Sequence, residues 1–514
     1  MFHRLSTIGG ILPMKITSSV EVNETIANYK TLNVQIEANK ETALEQRLAD
    51  IERRLSSVEQ PVWKIEKSAD MKAWDHCTET GFCRCIPALK QITCWRLNLR
   101  SIPATQSIPN DISHIDLSSN HLSTLHKDSF RGLTHLTLLD LSKNHLDFLP
   151  NDLLLDLDSL SNLRLQENKL ESLDAQLFLK LRSLKILDMS QNQLLFALPY
   201  ELFQSIYHIR VINLAHNKLR DLPNLQEQVV LEELDISKNE LRSIGSSHFK
   251  QLKNLRTLRL SENFIDEIAT DAFDNLMHLK CLYLKKNLIT HINERHFRNL
   301  RNLIILDLAA NKIQNIHSNA FHSLTKVFEL HLSQNVLREI PEKLFLKMER
   351  LRKLMLFSND FRYLHSQSFV GLRRLDSNKL QYLPKDCLDK IPKLLKIKLD
   401  KNPWHCDCHS IYLARFLREH YTKLWNGIAG GPICLGPGEL GGKQVSILRF
   451  DHLCYGQWYS MVNLSPRLPI KQQSSDVIET TESLRDNVTE QKNSGKTSNR
   501  RNHLGFEVCH IRKL

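Results

Sequence analysis

The chain has 514 residues, 41% hydrophobic and 25% charged, and its 69 Lys and Arg against 57 Asp and Glu leave a net charge of +12. Sixteen Gly and sixteen Pro are too few for collagen or a low-complexity filament, and no apolar run approaches the roughly 18 residues of a membrane span. The charge favours acidic partners but is too small to indicate nucleic acid.

Residues 1–23 carry an early Arg4 and a weakly apolar stretch from Leu5 to Met14, interrupted by Ser, Thr, Gly and Pro. This reads as a weak signal segment, or as a leader whose true start is missing. Residues 24–76 read as a helical segment and linker. Within it Leu44, Leu48, Ile51, Leu55 and Val58 alternate at four- and three-residue spacing, a little over two heptads of a coiled-coil seam. Such a seam would make the protein a homo-oligomer; an amphipathic helix lying alone is the competing reading. A cysteine-rich stretch over 77–105 follows, with Cys77, Cys83, Cys85 and Cys94.

From 106 to 401 one pattern dominates. Segments such as LTLLDLSKNHL, LSNLRLQENKL and LKCLYLKKNLI fit L-x-x-L-x-L-x-x-N-x-L, about 12 times in all. The asparagines from Asn120 to Asn359 recur at intervals of 24, with one of 25 and one of 22, and a Phe follows most of them after ten or eleven residues. These are leucine-rich repeats. In L-x-L the two apolar residues turn inward and the middle one outward, as in a strand. A buried Asn can satisfy backbone groups of its own turn and of the next repeat, and the Phe column fills the wider side opposite the strands. The fold expected is an α/β solenoid, a horseshoe with a parallel concave sheet that needs a cap at each end. One repeat, near 370–380, is short: Asn359 and Asn378 are 19 apart, and an x-x-L-x-L half motif is missing. Either the solenoid kinks there or the sequence has lost a segment; the second reading is preferred, because deleting a strand would interrupt the sheet.

Residues 402–455 hold NPWHCDC with Cys406 and Cys408, then Cys434 and Cys454. The run HCDCH is rich in zinc-type ligands, but the isolated downstream cysteines lack the paired spacing zinc sites use, so disulfides are favoured. Both flanks closely resemble the cysteine-rich N- and C-terminal caps of extracellular leucine-rich-repeat proteins such as Slit, Toll receptors, the Nogo receptor and decorin. The resemblance covers about Cys77 to Cys454. It implies the pairing Cys77–Cys85, Cys83–Cys94, Cys406–Cys434 and Cys408–Cys454, hence an oxidising compartment. Three cysteines remain. Cys281 looks onto the concave face, Cys387 adjoins Leu388 at the Phe-column position, and Cys509 lies in the tail as a candidate for an intermolecular bridge. That tail, 456–514, is polar and reads as disordered. Glycosylation acceptors occur at Asn23, Asn463 and Asn487.

No catalytic constellation, cofactor motif or metal site is visible. GPGELGGKQ is no phosphate loop, since Pro437 and Gln444 stand where Gly and Ser or Thr belong. The outward column of L-x-L runs Asp116, Asp140, Arg164, Asp188, Asn213, Asp235, Arg259, Tyr283, Asp307, His331, Met355. Its acidic first half is either a binding feature or merely tolerated by solvent. Arg259, Tyr283, Lys285, Asp307, His331, Met355 and Phe357 combine aromatics with cations and form the expected ligand-binding surface for a protein. A second expectation is electrostatic: fifteen Lys or Arg against six Asp or Glu between Lys343 and Lys401 would suit a sulfated glycosaminoglycan. An extracellular binding protein acting in adhesion, matrix organisation or receptor-type recognition is therefore expected; an intracellular scaffold with reduced cysteines, or a truncated receptor ectodomain, is the alternative.

Overall fold

The computed structural model describes residues 60–67, 72–79, 81–361, 372–374, 378–383, 399–424, 431–436 and 438–455. The signal segment, the 44–58 heptads, the 456–514 tail, Asn23, Asn463, Asn487, Cys387 and Cys509 lie outside them.

Among the described residues a 14-stranded sheet runs the length of the solenoid. Its strands are three residues long and parallel, save an antiparallel start where Arg84–Ile86 meets Gln91–Thr93. The L-x-L register is unbroken: Asp116 opposes Asp140, Asp140 opposes Arg164, and the row continues to His331 opposite Met355. Inward leucines such as Leu139, Leu163, Leu258 and Leu306 are wholly buried. Facing them across the core, Phe249, Phe273, Phe297, Phe321 and Phe345 stack at centroid spacings of 6.1 to 6.4 Å. That offset spacing suits aromatic faces and fills the long side of each coil. Where the repeat contracts to 22 residues, Gln228 takes the Phe position and remains buried, its amide donating to the Phe203 carbonyl at 2.6 Å.

The asparagines form the second spine. Asn287 Nδ2 donates to the carbonyls of Leu260 and Leu284 at 2.9 and 3.0 Å, and its Oδ1 accepts from Ile265 N at 3.1 Å. Each such Asn thus ties the turn backbone of its own repeat to that of the preceding one, groups that would otherwise be buried unpaired. The residue before it is left-handed in every regular repeat, for instance Lys286 at φ 55°, Ala310 at 55° and Gln334 at 57°. No glycine occupies these positions, so the ladder holds ordinary side chains in a disfavoured conformation.

The short repeat does not interrupt the sheet. Leu372–Arg374 pairs with Lys353–Met355 through a register irregularity at Leu354 and Met355. The Asn spine slips with it: Asn359 N itself donates to Asn378 Oδ1 at 3.0 Å, and Asn378 Nδ2 donates to the Leu356 carbonyl. A slip absorbs the short spacing, so the premise that a lost half motif must break the sheet is corrected.

The N-terminal cap begins earlier than Cys77. Residues read from the sequence as linker form the strand Lys64–Glu66, parallel to Ser107–Pro109, and the helix Lys72–Glu79 packs beside it. Trp63 is buried with its ring edge-on to Phe130 at 5.9 Å, so it continues the aromatic spine, and Trp74 Nε1 donates to Asp111. The reason is physical: the first coil has no repeat before it, and two indoles cover its open core. Glu66 binds this edge together. The imidazole of His76, then Lys64, hold its carboxyl down at about 2. Bridges join Cys77 to Cys85 and Cys83 to Cys94. Gln106 lies buried among them, accepting from Cys83 N and donating to the Cys77 carbonyl.

At the other end Trp404 is fully buried, its Nε1 donating to the Leu399 carbonyl at 3.0 Å, and Ile411–Leu424 forms the capping helix. Cys406 is bridged to Cys434 and Cys408 to Cys454, so both thiols of HCDCH are committed to disulfides. Asp407 between them is buried. Burial pushes its carboxyl up, but bonds from His409 and Tyr382 outweigh that and hold it low.

Candidate functional site

The parallel register aligns three outward columns on the concave face, because alternate residues of every strand point the same way. The middle one is the column read from the sequence, and all eleven of its residues fall in a single row.

The acidic half of that row has a local task. Asp140 Oδ1 accepts from the backbone N and hydroxyl of Ser142 at 3.0 and 2.6 Å. Asp116, Asp188 and Asp235 do the same with Ser118, Ser190 and Ser237. These carboxylates fasten the turn leaving each strand, as Asp does before other turns. The signal for this was present in the sequence as D-x-S and went unread. Neighbours also neutralise them: Arg164 lies 3.3 Å from Asp140 and Arg259 lies 3.7 Å from Asp235. Burial still pushes the Asp235 carboxyl up, against the Ser237 bonds and Arg259.

From Arg259 onward the face changes character. The Arg259 guanidinium stands over the Tyr283 ring, its Cζ 5.0 Å from the centroid. Burial raises the Tyr283 phenol above its usual range despite that cation, so the ring stays neutral and presents an apolar face with one hydroxyl. Asp307 is buried and caps Ala309 N at 3.0 Å. His331 bridges two acids, Nδ1 lying 3.5 Å from Asp307 and Nε2 3.3 Å from Glu329, the latter in ion-pair range without hydrogen-bond geometry. Burial is the largest single influence on His331 and pulls it down, but the two carboxylates together win and raise it. Glu329, paired with His331 and with Lys353 at 2.8 Å, is held at about 2. Met355 and Phe357 are half-buried at the end of this patch, and Lys285 flanks Tyr283 in the third column. The seven expected residues therefore sit together on five successive strands and the turns after them.

The remaining column, preceding the inward leucine, was not weighed as a surface. It runs His114, Leu138, Asn162, Ile186, Val211, Glu233, Thr257, Cys281, Ile305, Glu329, Lys353 and is largely apolar in its middle. Of the basic 343–401 stretch, Lys353 and Lys379 are described in ion pairs, the latter with Asp360 at 2.7 Å.

Comparison with known proteins agrees with this architecture. Residues 110–170, 158–219, 230–287 and 277–337 match the leucine rich repeat family profile. The chain is 36% identical over 83 residues to leucine-rich repeat-containing G-protein coupled receptor 5 of Rattus norvegicus, covering 16% of this chain and 9% of that protein. It is 30% identical over 117 residues to human SLIT and NTRK-like protein 6, covering 23% and 13%. The match thus spans about a tenth of the length of these relatives. Among solved structures, Toll from the Drosophila Toll–Spätzle complex superposes with a TM-score of 0.54 at 23% identity, over 66% of this chain and 51% of that one. No described helix is long and apolar enough to cross a membrane. Repeat pattern, register, Asn and Phe spines and bridged caps converge: the described residues form a capped leucine-rich-repeat solenoid.

Proposed function

We propose that the protein works outside the cell and binds a protein ligand through the concave patch of Arg259, Tyr283, Lys285, Asp307, His331, Met355 and Phe357. Its role is then adhesion, matrix organisation or receptor-type recognition. The observation that carries this is the change along one row. Its first half is spent on capping turns, whereas the strands from Arg259 onward offer a half-buried tyrosine under an arginine, then a methionine and a phenylalanine. Such side chains give much contact area for little ordering cost. Four cap bridges support an oxidising compartment. Relatives bearing the names of receptors support recognition as the use.

The test is binding by the full chain to a panel of extracellular proteins and to heparan sulfate, with the triple variant Tyr283→Ala, Met355→Ala, Phe357→Ala. A protein ligand that survives about 0.3 M salt and weakens at least tenfold in the variant supports the patch. Binding only to the sulfated chain, lost by that salt, would replace this reading with the electrostatic one.

A further inference from the structure

His121 and His145 follow the spine asparagines Asn120 and Asn144, so they hold the same place in successive repeats, 24 residues apart. No short ligand spacing marks them in the sequence. The solenoid brings them together, because equivalent residues of adjacent coils lie about one strand spacing apart, about 4.8 Å. Their backbones are fixed by the ladder that leaves the sheet: His121 N donates to the Leu99 carbonyl and His145 N to the Leu122 carbonyl, each at 2.8 Å. Both residues are exposed. The next coils carry Lys169 and Gln193 at this place, so the pair occupies one step of the solenoid.

The two rings are set as a chelating pair. His145 Nδ1 lies 3.1 Å from the Asn144 carbonyl, which only accepts, so the neutral ring carries its proton there and keeps a lone pair on Nε2. That nitrogen faces His121 Nδ1 at 3.3 Å. A backbone carbonyl on the far ring nitrogen is the partner that orients metal-ligating histidines. Two imidazole nitrogens bound to one tetrahedral zinc, each at about 2.0–2.1 Å, stand about 3.3 Å apart and hold their ring centroids about 5.2 Å apart. The centroids of His121 and His145 are 5.3 Å apart, with the ring planes tilted by 32°. Rings joined in line by a direct N–H···N bond would at this separation hold their centroids about 5.6 Å apart, and the bond would be a long one. Asp147, two residues beyond His145, keeps one carboxylate oxygen buried without a hydrogen-bond partner, which adds negative charge to the same segment. Among the described residues no third His, Cys, Asp or Glu completes a larger ligand group.

We propose that His121 Nδ1 and His145 Nε2 together hold one divalent ion of the zinc class, whose remaining positions face solvent. Imidazole suits Zn²⁺, Cu²⁺ and Ni²⁺, whereas Ca²⁺ and Mg²⁺ seek oxygen ligands that this pair does not offer. The ion ties two adjacent coils together in the native chain alone, since the unfolded chain does not hold residues 24 positions apart in register. Neither ring belongs to the concave patch proposed above, so the two readings fail separately.

The test uses the full chain with its disulfides intact, stripped of metal by a chelator and titrated with zinc sulfate in a calorimeter. One tight equivalent of zinc should bind. His121→Ala and His145→Ala should each weaken that equivalent at least tenfold, the scale on which even the partners of metal ligands act. His208→Ala, which removes an exposed histidine from another coil, should change it less than twofold. Zinc at about 0.1 mM should raise the melting temperature of the unaltered chain and leave that of His121→Ala where it was. Should either Ala variant lose its circular dichroism, the double variant His121→Gln, His145→Gln, which keeps polar side chains of similar size, must lose the ion in the same way. No uptake of zinc, or uptake equally strong in the variants, would overturn the proposal and leave the pair as a plain contact between two imidazoles.

Discussion

Replacing Asn287 by Ala should be among the most damaging single changes in the solenoid. Asn287 is 4% exposed and its side chain makes three hydrogen bonds, to Leu260 O, Leu284 O and Ile265 N, that join two successive repeats. Each is a neutral bond worth about 1 kcal/mol net, and the stranded Ile265 amide adds about 1–3 kcal/mol of its own. The sum is about 4–6 kcal/mol. Urea unfolding followed by circular dichroism, with disulfides intact, would measure it. Because coils couple only to their neighbours, the variant should also split the transition into two as the halves on either side uncouple. Asn287→Asp is the sharper companion. It keeps size and acceptor but turns an oxygen toward two carbonyl oxygens, so at neutral pH it should cost at least as much as Ala. A loss below about 1 kcal/mol for Ala, or an Asp variant clearly more stable than Ala, would refute the ladder as the source of coupling.

Three further outcomes follow from the geometry. The raised His331 contributes stability that is complete below its unfolded value near 6.5 and is lost as pH rises through its folded value; His331→Gln should therefore lose stability at pH 6 but little at pH 9, and an equal loss at both would contradict the ion cluster. Ala310, left-handed at φ 55°, should gain about 0.5–1 kcal/mol on replacement by Gly and lose more than that with Val; paired denaturation curves decide, and a gain with Val would count against the strain. Trp63→Ala should lower stability by about 3 kcal/mol through the cavity beside Phe130, read as a fall in melting temperature; an unchanged melting temperature would return residues 61–67 to the status of a linker.

The repeat, its register and both spines were legible because a period repeated twelve times leaves little room for another reading. The L-x-L triplet alone places Tyr283 beside Arg259 and Asp307. What escaped lies where one sequence position serves several purposes. Asp140 reads as a surface charge, and only the Ser142 hydroxyl at 2.6 Å shows it as a turn cap. The left-handed Ala310 and Lys286 carry no glycine to announce them, since the neighbouring Asn supplies the constraint. Gln228 replaces a Phe, and its signal was the short 22-residue interval around it. Trp63 falls outside any repeat, and its place is set by the open core it covers. The column through Cys281 was passed over because its flanking residues, Thr257 and Ile305, look like ordinary core.

The most direct test of the account is to compare the concave triple variant with a convex control on one ligand. The control changes Leu155, Leu179 and Leu346, which are exposed on the side of the Phe spine, to Ala. Surface plasmon resonance at about 0.3 M salt, above the range where exposed charges act at a distance, would report both affinities. The account predicts at least a tenfold loss for Tyr283→Ala, Met355→Ala, Phe357→Ala and less than a twofold change for the control. A ligand indifferent to the concave changes and weakened by the convex ones would contradict it.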